Sequence, residues 1–449
     1  MIHYKVGGTD GVSLEMDKWK KVFEKLGNKV YMLGGEMDNK IIHPSLYHIS
    51  PIAKDFYSYS FEGKNVFKNE EEYKEKVLIE VKKIKPIVDN FITTNNIELL
   101  VVQNIWSVAM NIALAIALEE IVEKRNIKVL AQHHDFFWER KAGVHYGCQF
   151  SKTIANKYLP PTNYTYKHVV INQQGHDALL KRKNIESDIV PNVFDFNAPL
   201  WTKDSYNKDF KEQLDFSDND VIILQATRIV DRKAIELAID LISQMNKNKV
   251  QLIGKKLYDG RIFNKDSNFV LVLAGSDEDD GSGTYLDRLK DHAIKKNVQL
   301  KSIGNRISHT RNIDKNIKKY SLWDTYVYAD LITYPSYWEG WGNQFLEGLF
   351  AKVPMVVYEY PVFITDIKNK HFDYISLGSS YEVDNKTDLV SIDNKIIENA
   401  SQEVISYLFD KEKRDKSIEK NFAIGKENFS MESLIKMLNS ILNKLRFYS

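Results

Sequence analysis

The chain has 449 residues, 43% hydrophobic and 12% aromatic, too many for one ordinary core and enough for about two domains. Its net charge is +1, with acids and bases interspersed, which excludes the basic face that a nucleic-acid partner requires. A single cysteine, Cys148, excludes an intrachain disulfide framework and fits a reducing compartment.

In chain order, the first expected strand is IHYKV (2–6). It runs into a glycine-rich turn, GGTDGVS (7–13), containing Gly11. An amphipathic helix follows over 14–26, where Leu14, Trp19, Val22, Phe23 and Leu26 recur at helical spacing opposite a lysine face. An ordinary core helix is the expectation there, with peripheral contact to anionic lipid as the alternative. Strands are expected at KVYMLGG (29–35), ELLVVQN (98–104), KVLAQHH (128–134) and HVVIN (168–172). Between the second and third of these, the apolar run Trp106 to Leu118 is shorter than the ~20 residues of a spanning helix and contains Asn111, so it is expected as a buried helix. With no signal peptide read at the start, a cytoplasmic location is expected.

The alternation breaks at PNVFDFNAP (191–199), placing the boundary between a first domain of 1–196 and a second of 197–427. The second domain repeats the scheme with VIILQAT (221–227), FVLVLAG (269–275), VQLKSIG (298–304), LITYP (331–335) and PMVVYE (354–359). The polar runs DND (218–220) and DED (277–279) are read as solvated loops rather than metal ligands. A terminal amphipathic helix over about 428–449 is expected to pack back on the first domain. Near-continuous apolar strands alternating with helices define an α/β chain of two doubly wound, Rossmann-like domains, each a parallel sheet covered on both faces.

Ligands of such sheets bind beyond the carboxyl ends of the strands, and four strand ends carry unusual residues. The glycine turn with Gly11 lets backbone approach an anion at a helix start. HHDFFWER (133–140) concentrates His134, Asp135, Trp138, Glu139 and Arg140 with further aromatics, a mixture suited to a polar ring compound. TRIVDRKAIELAI brings Arg228 and Lys233 to one loop, where a diphosphate would relieve the opposition between Lys233 and the helix dipole. SYWEGWGNQFLEGLFAK (336–352) places Glu339 in a turn with Gly340, Trp341, Gly342 and Asn343. If Asn343 starts the helix, Glu347 follows at i+4. The four loops are expected to meet across one interdomain cleft.

These residues resemble the retaining glycosyltransferases of family 4, which have the GT-B architecture. Glu339 and Glu347 match the E-x7-E pattern within PSYWEGWGNQFLEG, and Arg228 and Lys233 match R-x4-K. His134 matches a first-domain histidine, PNVFD the crossover, and VLAG (272–275) a second-domain strand. The resemblance implies a hexose moved from a nucleotide-diphosphate sugar (UDP or GDP) to a hydroxyl of a small polar, saccharide or glycan acceptor, with retention and without a metal or other cofactor. Arg228 and Lys233 would hold the diphosphate, Glu347 the ribose, and Glu339 with the amides near Trp341 the donor sugar. His134 would lie near the reacting centre, and Gly11 near phosphate or acceptor. A disaccharide phosphorylase, a sugar-nucleotide epimerase and a non-catalytic nucleotide-sugar-binding protein are the alternatives on the same fold.

More loosely, GGTDGVSLEMDKW with HHDFFWER resembles the relatives of mannosylglucosylglycerate-type synthases, which suggests that Asp135, Trp138, Glu139 and Arg140 line the acceptor side. Two departures from the family border the expected sugar pocket: Lys352 replaces a glycine, and YEYPVF replaces a glycine pair.

Overall fold

The computed structural model describes residues 1–8, 11–139, 143–276 and 284–447; Arg140 and DED (277–279) lie outside them. The chain divides into two units, Met1–Val193 with Met431–Ser449, and Phe194–Ser430.

The first unit is built on a seven-stranded sheet. Its order is Lys40–Ile41, Leu33–Met37, Ile2–Val6, Leu99–Gln103, Lys128–His133, Tyr166–Val170, Ser187–Ile189. Only the edge strand Lys40–Ile41 pairs antiparallel. Because the other strands are parallel, both faces need cover. On one face Val101, Leu130 and Val169 meet Trp19 and Val22 of helix Gly11–Lys25 and Leu434, Leu438 and Ile441 of helix Met431–Phe447. On the other, Leu100, Val102 and Val129 meet helices Glu70–Thr94 and Ile112–Arg125. Each fully buried leucine in the terminal helix is worth about 1.5–3 kcal/mol, so that helix is part of the first core.

The second unit carries a six-stranded parallel sheet in the order Gln299–Ser302, Phe269–Leu273, Val221–Gln225, Leu331–Tyr334, Met355–Val357, Ile375–Ser376. In both sheets the chain winds outward from the first strand and then reverses. The reversal falls between Ile2–Val6 and Leu99–Gln103 in the first sheet, and between Val221–Gln225 and Leu331–Tyr334 in the second. A crevice opens at the carboxyl side of such a switch point. Three successive loops of the second sheet approach so closely there that only glycine fits. A Cβ on Gly275 would stand 1.8 Å from the Thr227 carbonyl, and one on Gly304 would stand 2.4 Å from that of Gly275.

Several local expectations are corrected. The second strand is Leu33–Met37 rather than 29–35, and the sixth is Tyr166–Val170 rather than 168–172. Helix Gly11–Lys25 starts earlier than expected, so Gly11 is its first residue rather than part of the loop. Ser13 and Met16 share its inner face with Trp19, while Leu14 is exposed. The apolar run after Gln103 is two helices, Ile105–Val108 and Ile112–Arg125. Ala109 turns left-handed between them, and the Asn111 side chain accepts from the Leu114 amide at 3.0 Å. The left-handed Ala109 ends the first helix, and the polar asparagine caps the start of the second. Asp220 of DND is buried, not solvated: it accepts from the amides of Ser217 (2.9 Å) and Asn268 (3.1 Å). A small three-stranded sheet over Ile307–Ser308, Asn312–Asp314 and Ile317–Ser321 was not expected. No helix among the described residues is long and apolar enough to cross a membrane.

Candidate active site

At the switch point of the second sheet, two loops meet. The loop after Val221–Gln225 holds Arg228 and a single turn of 3-10 helix, Asp231–Lys233, just before helix Ile235–Lys247. The loop after Leu331–Tyr334 holds Glu339. Lys233 and Glu339, each under one-tenth exposed, form a direct ion pair. The Arg232 guanidinium donates to the second carboxylate oxygen at 2.8 Å and to the Trp338 carbonyl at 3.0 Å. The Arg232 carbonyl accepts from the Tyr337 amide at 3.1 Å. Arg232 therefore ties the two loops together through side chain and backbone. Burial pushes the Glu339 carboxyl up, but Lys233 and Arg232 outweigh it and hold the group below the usual carboxylate range. Burial lowers the Lys233 ammonium, and Glu339 opposes that shift. The carboxylate carries two cations, so it is the more firmly charged member of the pair. Arg228, on the same loop, is exposed.

Asn343 opens helix Asn343–Phe350, which puts Glu347 one turn in. Its carboxylate accepts from the Tyr326 hydroxyl at 2.6 Å. Tyr326 is fully buried, and burial holds its hydroxyl protonated, so it remains a donor that fixes the carboxylate. The turn before the helix is fixed as tightly. Gly342 has φ 131°, and a Cβ there would lie 2.3 Å from the Tyr360 hydroxyl. That hydroxyl donates to the Trp341 carbonyl at 2.6 Å. Trp341 itself is buried against Phe429, so its indole packs inward while the turn's backbone is held by Tyr360. Gly340 lies half-buried between Glu339 and Trp341. Tyr326→Phe is expected to raise the donor KM several-fold with little change in kcat, since it frees the Glu347 carboxylate without removing it; steady-state kinetics check this.

In the first unit, His134 and Asp135 follow Lys128–His133. The Asn104 side chain, at the end of the neighbouring strand, accepts from the His134 amide at 3.0 Å and from the Ser107 hydroxyl. The loop is thus set by a left-handed asparagine, φ 56°. His133 belongs to the core instead: its Nε2 meets His168 Nδ1 at 3.0 Å, and burial holds both rings neutral, His168 at about 4. Trp138 stacks on Phe136 at 4.4 Å with the Arg182 guanidinium over its ring. Glu139 accepts from the Phe136 amide at 3.0 Å. These two side chains therefore shape the turn Phe137–Glu139.

Lys352 does not border the site as expected. It lies beyond the far end of helix Asn343–Phe350, about 12 Å long, whereas Glu339 precedes the near end. Its φ of 55° is the left-handed conformation that suits the family's glycine, and Glu419 pairs with its ammonium at 2.8 Å. The YEYPVF departure does reach the site, through Tyr360. Sequence reasoning missed Arg232, Tyr326 and Tyr360. Arg232 stands inside the R-x4-K interval and Tyr360 inside YEYPVF, but Tyr326 lies in no motif.

An E-x7-E turn and helix facing a basic loop, on a chain of two Rossmann-like units, define a glycosyltransferase of GT-B fold. Residues 207–422 match the family described as "Glycosyl transferases group 1". The chain is 38% identical over 442 residues to the mannosylglucosylglycerate synthase of Petrotoga mobilis, covering 96% of this chain and 98% of that one. It is 35% identical to the enzyme of the same name from Thermotoga maritima, with 98% of both chains covered. The chain belongs to the group 1 glycosyl transferases. Among solved structures, a glycosyltransferase from Rickettsia africae shares the fold with a TM-score of 0.61 at 15% identity, covering 99% of both chains. Anabaena Alr3699/HepE, solved with UDP and glucose, has a TM-score of 0.54 at 11% identity, covering 98% of this chain and 100% of that one.

Proposed function

We propose that this chain is a retaining, metal-independent glycosyltransferase that carries a mannosyl group from a nucleoside diphosphate mannose to a hydroxyl of glucosylglycerate. The names of its two near-full-length relatives support this sugar and this acceptor. The observation that carries the chemistry is the cluster of Lys233, Arg232 and Glu339 at the switch point, with Arg228 on the same loop.

The bond from the sugar's anomeric carbon to the diphosphate breaks, and negative charge grows on the leaving phosphate. Arg228 and Lys233 stabilise that charge in a preorganised, partly desolvated place. They do what a divalent cation does elsewhere, which is the basis for metal independence. When the donor binds, Lys233 turns part of its contact from Glu339 to a phosphate oxygen, and Glu339 accepts from sugar hydroxyls. The backbone of Gly340 to Asn343 lies against the sugar. Glu347, already oriented by Tyr326, accepts from both ribose hydroxyls. In the first unit, His134 serves the reacting centre, Gly11 lets backbone approach the phosphate or acceptor, and Asp135 and Arg140 serve the acceptor side. Trp138 and Glu139 support their turn. The acceptor hydroxyl attacks the face the phosphate leaves, and its proton passes to the departing phosphate oxygen. No group pair of the glycosidase kind is required.

A panel of UDP- and GDP-sugars incubated with glucosylglycerate, with and without chelator, tests this. Transfer from one mannose nucleotide, unchanged by chelator, is expected. Transfer that ceases on chelation and returns with a divalent ion would refute metal independence. Release of sugar phosphate dependent on free phosphate would favour a phosphorylase.

A further inference from the structure

The first unit holds a cavity of about 850 Å³ that the roles above leave unused. Its wall includes Met110, which follows strand Leu99–Gln103, and Phe137, which follows Lys128–His133. His48 closes another side, with its ring 5.1 Å from that of Tyr4 on strand Ile2–Val6. The cavity thus lies at the carboxyl-end side of the first sheet, beside its switch point, where a ligand of this architecture is expected. A smaller cavity, about 480 Å³, is lined by Met1, Val30, Asn95 and Leu99 at the amino ends of the strands, the wrong edge for a substrate.

The chemistry of the larger cavity is lopsided. Lys54, Lys64, His48 and His145 line it, against one carboxylate, Glu62. Glu62 is already engaged, by Lys64 at 2.8 Å and by the Ser58 hydroxyl at 2.7 Å. The ammonium of Lys54 has no ion-pair or hydrogen-bond partner among the described residues. It projects from the first turn of helix Pro51–Phe61, where the helix dipole adds positive potential. Tyr57, Phe137 and Met110 supply aromatic and apolar surface. A cavity of this size, with aromatic and apolar surface beside polar groups, suits a disaccharide-sized ligand. Its excess positive charge selects one that carries an acid.

We infer that this cavity is the acceptor site, in which Lys54 pairs with the acceptor's carboxylate while Tyr57 and Phe137 lie against its sugar ring. The inference rests on the glucosylglycerate reading above. It assigns anion recognition to helix Pro51–Phe61, which carries no residue of any motif singled out in the sequence.

The test compares glucosylglycerate with its neutral counterpart, in which the carboxylate is replaced by an alcohol, on the wild type, Lys54→Ala and Lys54→Arg. Lys54→Ala is expected to raise the KM for the acid about tenfold, the loss of one charge-assisted hydrogen bond. The KM for the neutral acceptor and for the donor should stay unchanged, and Lys54→Arg should restore most of the loss. Equal KM values for the acid in wild type and Lys54→Ala, or an equal loss on both acceptors, overturn the inference. Calorimetric titration of glucosylglycerate into the protein with nucleoside diphosphate separates this from the proposed reaction. Binding that weakens in Lys54→Ala supports the cavity even if no mannosyl transfer occurs, and absence of binding to the wild type overturns it.

Discussion

Lys233→Met is expected to lower kcat about 10²- to 10³-fold, the usual cost of removing one group aimed at charge that develops in the transition state. It should also destabilise the fold, because Glu339 is buried and loses a direct partner. Stripping a buried charge of its only partner costs roughly 3–5 kcal/mol. Arg232 still contacts Glu339 at 2.8 Å, so a smaller loss, about 2 kcal/mol, is expected here. The pH dependence separates this loss from simple cavity formation. In the wild type Glu339 is held below its ordinary value of 4.5. Its ionised pair therefore stabilises the fold above that pH, and the contribution fades as pH falls through the lowered value. In the variant burial is less opposed, so the carboxyl titrates higher. The stability gap between variant and wild type, measured by denaturant unfolding, should shrink on acidification from about pH 7 to about pH 4. A gap independent of pH would mean that the pair contributes only packing.

Glu347→Ala should lower kcat/KM for the donor about 10²- to 10³-fold, since two hydrogen bonds from ribose to a charged acceptor are lost at about 1.5–3 kcal/mol each, less what solvent recovers. Calorimetry with the free nucleoside diphosphate should show the same loss, because the ribose is present there too. A change under threefold in diphosphate affinity would move Glu347 away from the ribose. Stability should fall little, since the side chain is half-buried.

The acid pair was legible because its spacing is local. A turn carries Glu339, a helix start fixes Asn343, and one turn later comes Glu347. That Arg228 and Lys233 share one loop was legible for the same reason. What orients these residues was not. Tyr326 precedes Glu347 by 21 positions, and Tyr360 follows Trp341 by 19. Neither position shows in sequence which group its hydroxyl holds; the sheet order brings them together. Burial likewise decided between neighbours that look alike in sequence: His133 points into the core beside His168, and His134 starts the loop. Leu14 fits the apolar stripe, yet the helix starts at Gly11 and turns Ser13 and Met16 inward instead. Lys352 resembled a change in the sugar pocket, but it is a helix end held by Glu419.

The proposed reaction is transfer with retention from a diphosphate held by Arg228 and Lys233. The most direct measurement is the proton NMR spectrum of the product formed from an α-configured mannose nucleotide and glucosylglycerate. An α-linked mannosyl product, absent with Lys233→Met, is the predicted result. A β-linked product, or undiminished α-linked product from the variant, would contradict it.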